Sequence, residues 1–382
     1  MHYNMTILGN RLAPICFLPS GKLVCYKQGE ILVYKGNMVE KRFTILRSRK
    51  EQVLGKCRYL YRLLRFGVRA AWAIDESHLL LSLGNKILEM DLESGILSKG
   101  YFCGAGIRPL SFTEVKGISS VDDGIYFGGY LGNMEKNPVS VYKRTDVDKW
   151  KTVYTFPKGT INHVHAIVAD PYRDCLWIFT GDFGEAAAIW KATDNFHNVE
   201  RVCCNDQKYR GCVVFAVPEG LIYATDAPFA DDFIYLMNTS DFSVKEIAPI
   251  DGSCIYGCKW KENYVFSSTV EGDGRNMSRL EFLFGRKRGA GIKNDYVHLY
   301  CGNINDGFNE IYSEKKDWLP YYTFQFGVFK FPYGTNNTDS LYFQPIATNR
   351  NDQKLVSLKL LKSNDDWNNI SKSDFIKEFR YI

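Results

Sequence analysis

The sequence predicts an all-β fold, a single β-propeller of seven four-stranded blades, with six as the alternative count. Three observations lead there. Short segments rich in Val, Ile, Tyr, Phe and Trp run through most of the chain, broken by Gly, Asp and Asn; KLVCYKQ (22–28), EILVYKG (30–36), CLWIFTG (175–181) and SLYFQPI (340–346) are examples. A strand–Asp-turn–strand unit recurs at VYKRTDVDKWKTVYTF, IWKATDNFHNVERV, IYLMNTSDFSVKEI and LYCGNINDGFNEIY, and its aspartates Asp146, Asp194 and Asp241 follow one another at 48 and 47 residues. Ahead of these units stand strands that begin with a variable residue and then a small one: Arg69-Ala70, Lys116-Gly117, His165-Ala166, Arg210-Gly211, Tyr256-Gly257 and Phe326-Gly327. A repeat of about 45 residues holding four strands is the size of a propeller blade.

Taken in order, the units start near residues 12, 68, 111, 161, 208, 253 and 322. The last lacks a strand of its own. The N-terminal segment, roughly 2–8, is expected to complete it, which would close the ring and remove the exposed edges. Residues 47–67 read as a helical insertion after the first blade, with Val53, Cys57, Leu60 and Leu64 on one face. Residues 271–295 read as an insertion in the sixth blade, which lengthens the step from Asp241 to Asp306 to 65 residues. The propeller is expected to occupy 1–362, and 363–382, with SKSDFIKEF, to form a helical tail.

Composition narrows the function classes. The chain has 382 residues, 45% hydrophobic and 15% aromatic, ample for a large core. A net charge of +5 is mild and does not argue for nucleic acid. The eleven cysteines are scattered, odd in number and without a CxxC, which fits reduced thiols and a cytoplasmic location. The N-terminus has no basic segment leading into an apolar one, and no apolar run reaches the roughly 18 residues of a membrane span.

The Asp-turn units resemble degenerate Asp-boxes, the BNR repeat of sialidase-like propellers, whose usual form is Ser-x-Asp-x-Gly-x-x-Trp. TDVDKW (145–150) keeps Asp146 and Trp150, and NINDGFNEI (303–311) keeps Asp306 and Gly307. The resemblance spans about residues 110–315 and implies the propeller fold. It also implies that Asp146, Asp194 and Asp306 sit on the outer rim in structural roles. By analogy with sialidases it suggests Arg69, Arg210 and Arg108 around a substrate carboxylate, with Tyr256 and Glu271 as nucleophile and partner. Propeller polysaccharide lyases suggest His165, Tyr256 and Arg210 equally well.

The residues themselves point to one place. Inner strands line the channel of a propeller, so Arg69, Lys116, His165, Arg210, Tyr256 and Phe326 are expected to form a ring. The strand corners add Asp182, Asp226 and Glu271. Cations this close repel one another until an anion or interleaved carboxylates relieve them. The functional expectation is a glycosidase or lyase for an anionic glycan or sugar acid. His165, Tyr256, Glu271 and Asp182 would do the chemistry, and Arg69, Lys116, Arg210, Asp226, His163 and Arg108 would bind substrate. The alternative is a salt-bridged plug in a non-catalytic interaction or polysaccharide-assembly propeller. No cofactor is required, although His163 and His165, alternate residues on a strand, could hold a divalent metal with Asp182. From Lys41 to Arg69 there are ten Lys or Arg and one acid, Glu51. Arg58, Arg62 and Arg65 on one face of this segment suggest peripheral contact with anionic lipid, and the competing expectation is a helix packed on a blade edge.

Overall fold

A computed structural model describes residues 3–45, 49–275 and 277–360. Its strands form seven four-stranded antiparallel sheets, a seven-bladed β-propeller. The inner strands are Ala13–Phe17, Val68–Ala73, Thr113–Val115, His163–Asp170, Gly211–Val217, Cys254–Trp260 and Val328–Lys330, close to the expected unit starts. Blades 1 to 6 each use four consecutive strands. Blade 7 has three, and Tyr3–Asn10 pairs antiparallel with Lys354–Leu360 as its outermost strand, as the missing strand required. The expected tail, 363–382, lies outside the described residues.

Burial follows the distance from the channel axis. The second strands Cys175–Gly181, Gly220–Thr225 and Leu341–Ile346 are buried at every position, packed by neighbours on both faces. The outermost strand of blade 1, Met38–Thr44, is mostly exposed. Neighbouring blades share aromatic layers: Phe179 of blade 4 meets Tyr223 of blade 5 edge-on at 5.3 Å. Asp146, Asp194, Asp241 and Asp306 lie in the turns between third and fourth strands of blades 3 to 6. There Asp241 Oδ1 accepts from the Ser243 N–H at 2.9 Å, the self-capping that favours Asp at such turns.

Near the start of the inner strand, blades 1, 2, 4, 5 and 6 carry a β-bulge whose extra residue is Ile15, Arg69, His165, Cys212 or Ile255. A bulge re-aims one side chain without losing the register beyond it. The insertion after blade 1 is two short helices, α1 (Arg49–Leu54) and α2 (Arg58–Leu63), because the chain turns at Gly55–Cys57. The sixth-blade insertion holds α3 (Arg279–Phe284), and α4 (Tyr321–Phe324) precedes the inner strand of blade 7. All four helices sit at the end of the ring where inner strands begin.

Candidate functional site

At that same end a cavity of about 510 Å3 occupies the channel. Arg65, Arg69, Arg108 and Lys330 line it, together with Tyr130, Tyr256, Gln325 and Phe326, and no carboxylate is in its wall. Arg69 arrives through the blade 2 bulge. Burial, and then the charges of Arg108 and Arg65, hold its guanidinium below its ordinary value. Arg108 sits over the Tyr130 ring at 5.7 Å, and Lys330 over Tyr256 at 5.6 Å. A second, more apolar chamber of about 470 Å3 lies toward the opposite end and shares Leu110, Ile255 and Tyr256 with the first, so these side chains partition the channel. Tyr333, in the wall of that chamber, ties blade 7 to the lead-in of blade 3 through its hydroxyl, which donates to the Leu110 carbonyl at 2.8 Å.

Beside the basic chamber lies a polar cluster built by blades 4, 5 and 6. His163 opens the blade 4 inner strand and His165 is its bulged residue. Their Nε2 atoms are 2.9 Å apart. The Asp182 carboxylate, just past the second strand, places Oδ1 3.2 Å from His163 Nε2 and 3.4 Å from His165 Nε2. Gly181 makes room for this, since a Cβ there would stand 2.3 Å from His165 Cε1. Arg210 Nη2 reaches Asp182 Oδ1 at 3.2 Å and Asp226 Oδ2 at 3.1 Å. The Cys212 thiol donates to Asp226 Oδ2 at 3.5 Å. Tyr130 joins the two regions: its ring lines the chamber and packs at 4.3 Å on the His163 ring.

These contacts set the protonation states. Burial would raise the Asp182 carboxyl, but the two imidazoles and Arg210 outweigh it and hold it well below the usual carboxylate range. Burial pushes the His165 imidazole down against the pull of Asp182. Burial, helped by the charge of Asp226, pushes the Glu271 carboxyl up to about 7. Thr269 donates to Glu271 Oε1 at 3.2 Å.

The structure therefore divides the expected ring in two. Arg69, Arg108, Tyr256 and Phe326 line the chamber, while His163, His165, Asp182, Arg210 and Asp226 meet in the cluster and Glu271 is buried in blade 6 near them. Lys116 joins neither. It follows the short inner strand Thr113–Val115 and is exposed at that strand's far end, whereas Arg108, which bridges to Tyr130, holds the ring position in blade 3. Tyr130, Lys330 and Cys212 escaped the sequence reading, and Arg65 was expected at a lipid surface, not in the chamber. Only Tyr130, at a Gly-Tyr strand corner, and Cys212, two residues after Arg210, carried a local signal.

The basic segment also differs from the expected lipid-facing helix. Arg62 is 1% exposed, ion-paired with Asp317, and 3.3 Å from Asp352 Oδ2. Arg58 is 3.9 Å from Asp352, and Arg65 donates to the Tyr322 carbonyl at 3.1 Å. Arg62 thus docks the segment on blade 7, as the competing expectation had it, while Arg65 stays exposed and the Arg58 side chain is 43% exposed. Residues 46–48 lie outside the described residues. Among the described residues no helix is long and apolar enough to cross a membrane.

No family model and no curated protein matches the chain. Solved structures that resemble it are propellers. The β-propeller domain of Myceliophteria thermophila Cps50 (Swd1) aligns with a TM-score of 0.53 at 11% identity, covering 94% of this chain and 98% of that one. The AfRom2 CNH domain aligns at 0.52 and 9%, covering 94% and 100%. The extracellular domain of the putative hybrid two component system BT4673 from B. thetaiotaomicron aligns at 0.52 and 10%, covering 94% of this chain and 40% of that one. At such identities the likeness is one of fold alone, and the fold they share with this chain is the β-propeller.

Proposed function

We propose that the protein binds an anionic carbohydrate, a sugar acid or sugar phosphate, in the basic chamber. The observation that supports this reading is four cations, Arg65, Arg69, Arg108 and Lys330, lining one cavity without a carboxylate. Their repulsion is relieved when an anion enters. A guanidinium fork suits a carboxylate or phosphate, and Tyr130, Tyr256 and Phe326 offer faces to a sugar ring. The cavity volume of about 510 Å3 falls among small-molecule sites. The proposal is confined to binding, because Asp182 and Glu271 lie outside the chamber wall and Arg210 is held by two carboxylates.

Calorimetric titration with a panel of uronates, sialosides, sugar phosphates and their neutral parent sugars tests this. The anionic members are expected to bind and to weaken with salt. Arg69→Ala or Arg108→Ala should cost roughly 10- to 150-fold in affinity, about 1.5–3 kcal/mol for a lost charge-assisted hydrogen bond. Lys116→Ala should change nothing. Equal binding of neutral and charged sugars, or indifference to both arginine substitutions, overturns the reading.

A second reading, docking on an anionic membrane surface, is supported by the sixth-blade insertion. Leu280 is 69% exposed, and Phe284 and Trp318 are each 67% exposed, with Arg279, Arg286 and Lys287 around them. An apolar tip flanked by cations is the composition of an interfacial anchor. Flotation with vesicles containing phosphatidylserine should recover the protein, and Leu280→Ser with Phe284→Ser should abolish recovery. Persistence of binding in that variant would remove this reading and leave the chamber proposal untouched.

A further inference from the structure

We infer that His163, His165 and Asp182 bind a divalent first-row transition-metal ion. The inference stands apart from anion binding in the chamber. The three facing atoms, His163 Nε2, His165 Nε2 and Asp182 Oδ1, form a triangle with sides of 2.9, 3.2 and 3.4 Å. Metal–ligand bonds of about 2.0–2.1 Å place neighbouring ligands roughly 3.0 Å apart in octahedral and 3.3 Å apart in tetrahedral coordination. The observed sides fit that range.

Proton counting supports the same conclusion. His163 Nδ1 is 2.9 Å from the Leu131 carbonyl, which only accepts, so this nitrogen carries a proton and the neutral ring has its lone pair on Nε2. Asp182 Oδ1 also presents lone pairs. These three mutually close atoms form one triangle, and a single proton cannot lie along all three of its sides. A metal ion at its centre accepts all three lone pairs at once. The carbonyl behind His163 is the kind of partner that orients a metal-bound imidazole.

The surroundings add a second line of support. His165 Nδ1 and Asp226 Oδ1 are buried without a hydrogen-bond partner among the described residues. His165, Cys212 and Asp226 form a second group with ligand atoms within 4.8 Å of one another, overlapping the first. Asp182 and Asp226 share a single guanidinium, that of Arg210, which leaves negative charge for a further cation. The Asp182 side chain is 26% exposed and gives the ion a path in. Two imidazoles with a thiol nearby select zinc, iron(II), cobalt or nickel over magnesium and calcium.

The full chain, stripped with a chelator and titrated with Zn2+ or Co2+ alone, provides the test. The expected result is binding that saturates, visible d–d bands with Co2+, and a melting temperature that rises with zinc concentration. Mg2+ and Ca2+ should be without effect. His163→Ala and Asp182→Asn should each weaken Co2+ binding by at least about 100-fold, more than loss of an outer-shell partner. Cys57→Ser, a change at an exposed thiol, should leave it unchanged. Circular dichroism establishes that the variants fold. If His163→Ala does not fold, paramagnetically shifted imidazole N–H signals of the wild-type Co2+ form report the ligand set directly. Absence of Co2+ bands and of a zinc-dependent melting shift overturns the inference, as does Co2+ affinity that survives Asp182→Asn.

Discussion

Removing the Arg62 guanidinium would leave Asp352 with the half-exposed Arg58 at 3.9 Å as its ion-pair partner among the described residues, and Asp317 with Lys316. Breaking a buried pair by deleting one partner costs about 3–5 kcal/mol, and the surviving cations place Arg62→Met near the lower end. Urea unfolding should register that loss, and adding Asp352→Asn should recover part of it. A destabilisation below about 1 kcal/mol would mean the guanidinium is dispensable. Nothing local in the sequence distinguishes Arg62 from Arg58 or Arg65, because its carboxylate partners lie more than 250 residues away. The ring residues divide for a related reason. Arg69 and His165 both sit on bulges, but only Arg69 faces the channel as the small-residue signature suggests, and His165 turns into the buried cluster. In blades 5 and 6 the same signature marks Arg210 and Tyr256, two residues before and one after the bulged Cys212 and Ile255. A bulge leaves no trace in residue type, so alignment by signature slips by one or two places.

The elements themselves were far more legible than their fine register. Each blade solves the same problem, a twisted sheet buried between two others. The resulting repetition of strand, Asp turn and strand could be counted without any contact information. Blade 3 shows the limit: its inner strand has only three residues after a long lead-in, so Lys116 took the place that belongs to Arg108. The deficit of a strand in blade 7 was visible in the same counting, and it carries a prediction. Deleting residues 1–10 removes the outermost strand Tyr3–Asn10 and leaves Lys354–Leu360 as an unpaired edge. Exposed edges template association. Size-exclusion chromatography should show concentration-dependent oligomers, and urea unfolding should move to lower midpoint. A monomer of unchanged midpoint would show that closure through this strand is unimportant for stability.

At the scale of the molecule, the propeller gathers charges from distant blades into one channel end and separates them by sign. Cations from blades 2 and 7 and from the lead-in of blade 3 line the open chamber, while carboxylates of blades 4, 5 and 6 converge on Arg210 and the imidazoles beside it. Sequence composition, with a net charge of only +5, gives no hint of that separation, since it arises from ring geometry. It has a consequence for stability against pH. Burial and Asp226 raise Glu271 from 4.5 to about 7 in the folded protein. The folded state therefore binds this proton more tightly than the unfolded chain does. The associated stabilisation is fully present below pH 4.5 and is lost as pH rises through about 7. A tenfold difference in proton affinity is worth about 1.4 kcal/mol, so the loss should amount to roughly 3 kcal/mol. The wild type and Glu271→Gln, unfolded in urea at intervals from pH 5 to 8, should diverge in this way. Their difference isolates Glu271 from every other ionisable group, since both proteins share those. The wild type should lose stability relative to the variant as pH rises, with most of the change between pH 5 and 7 and a plateau above that. Parallel profiles would mean that Glu271 is already ionised at pH 5 and that Arg210, not burial, governs its charge.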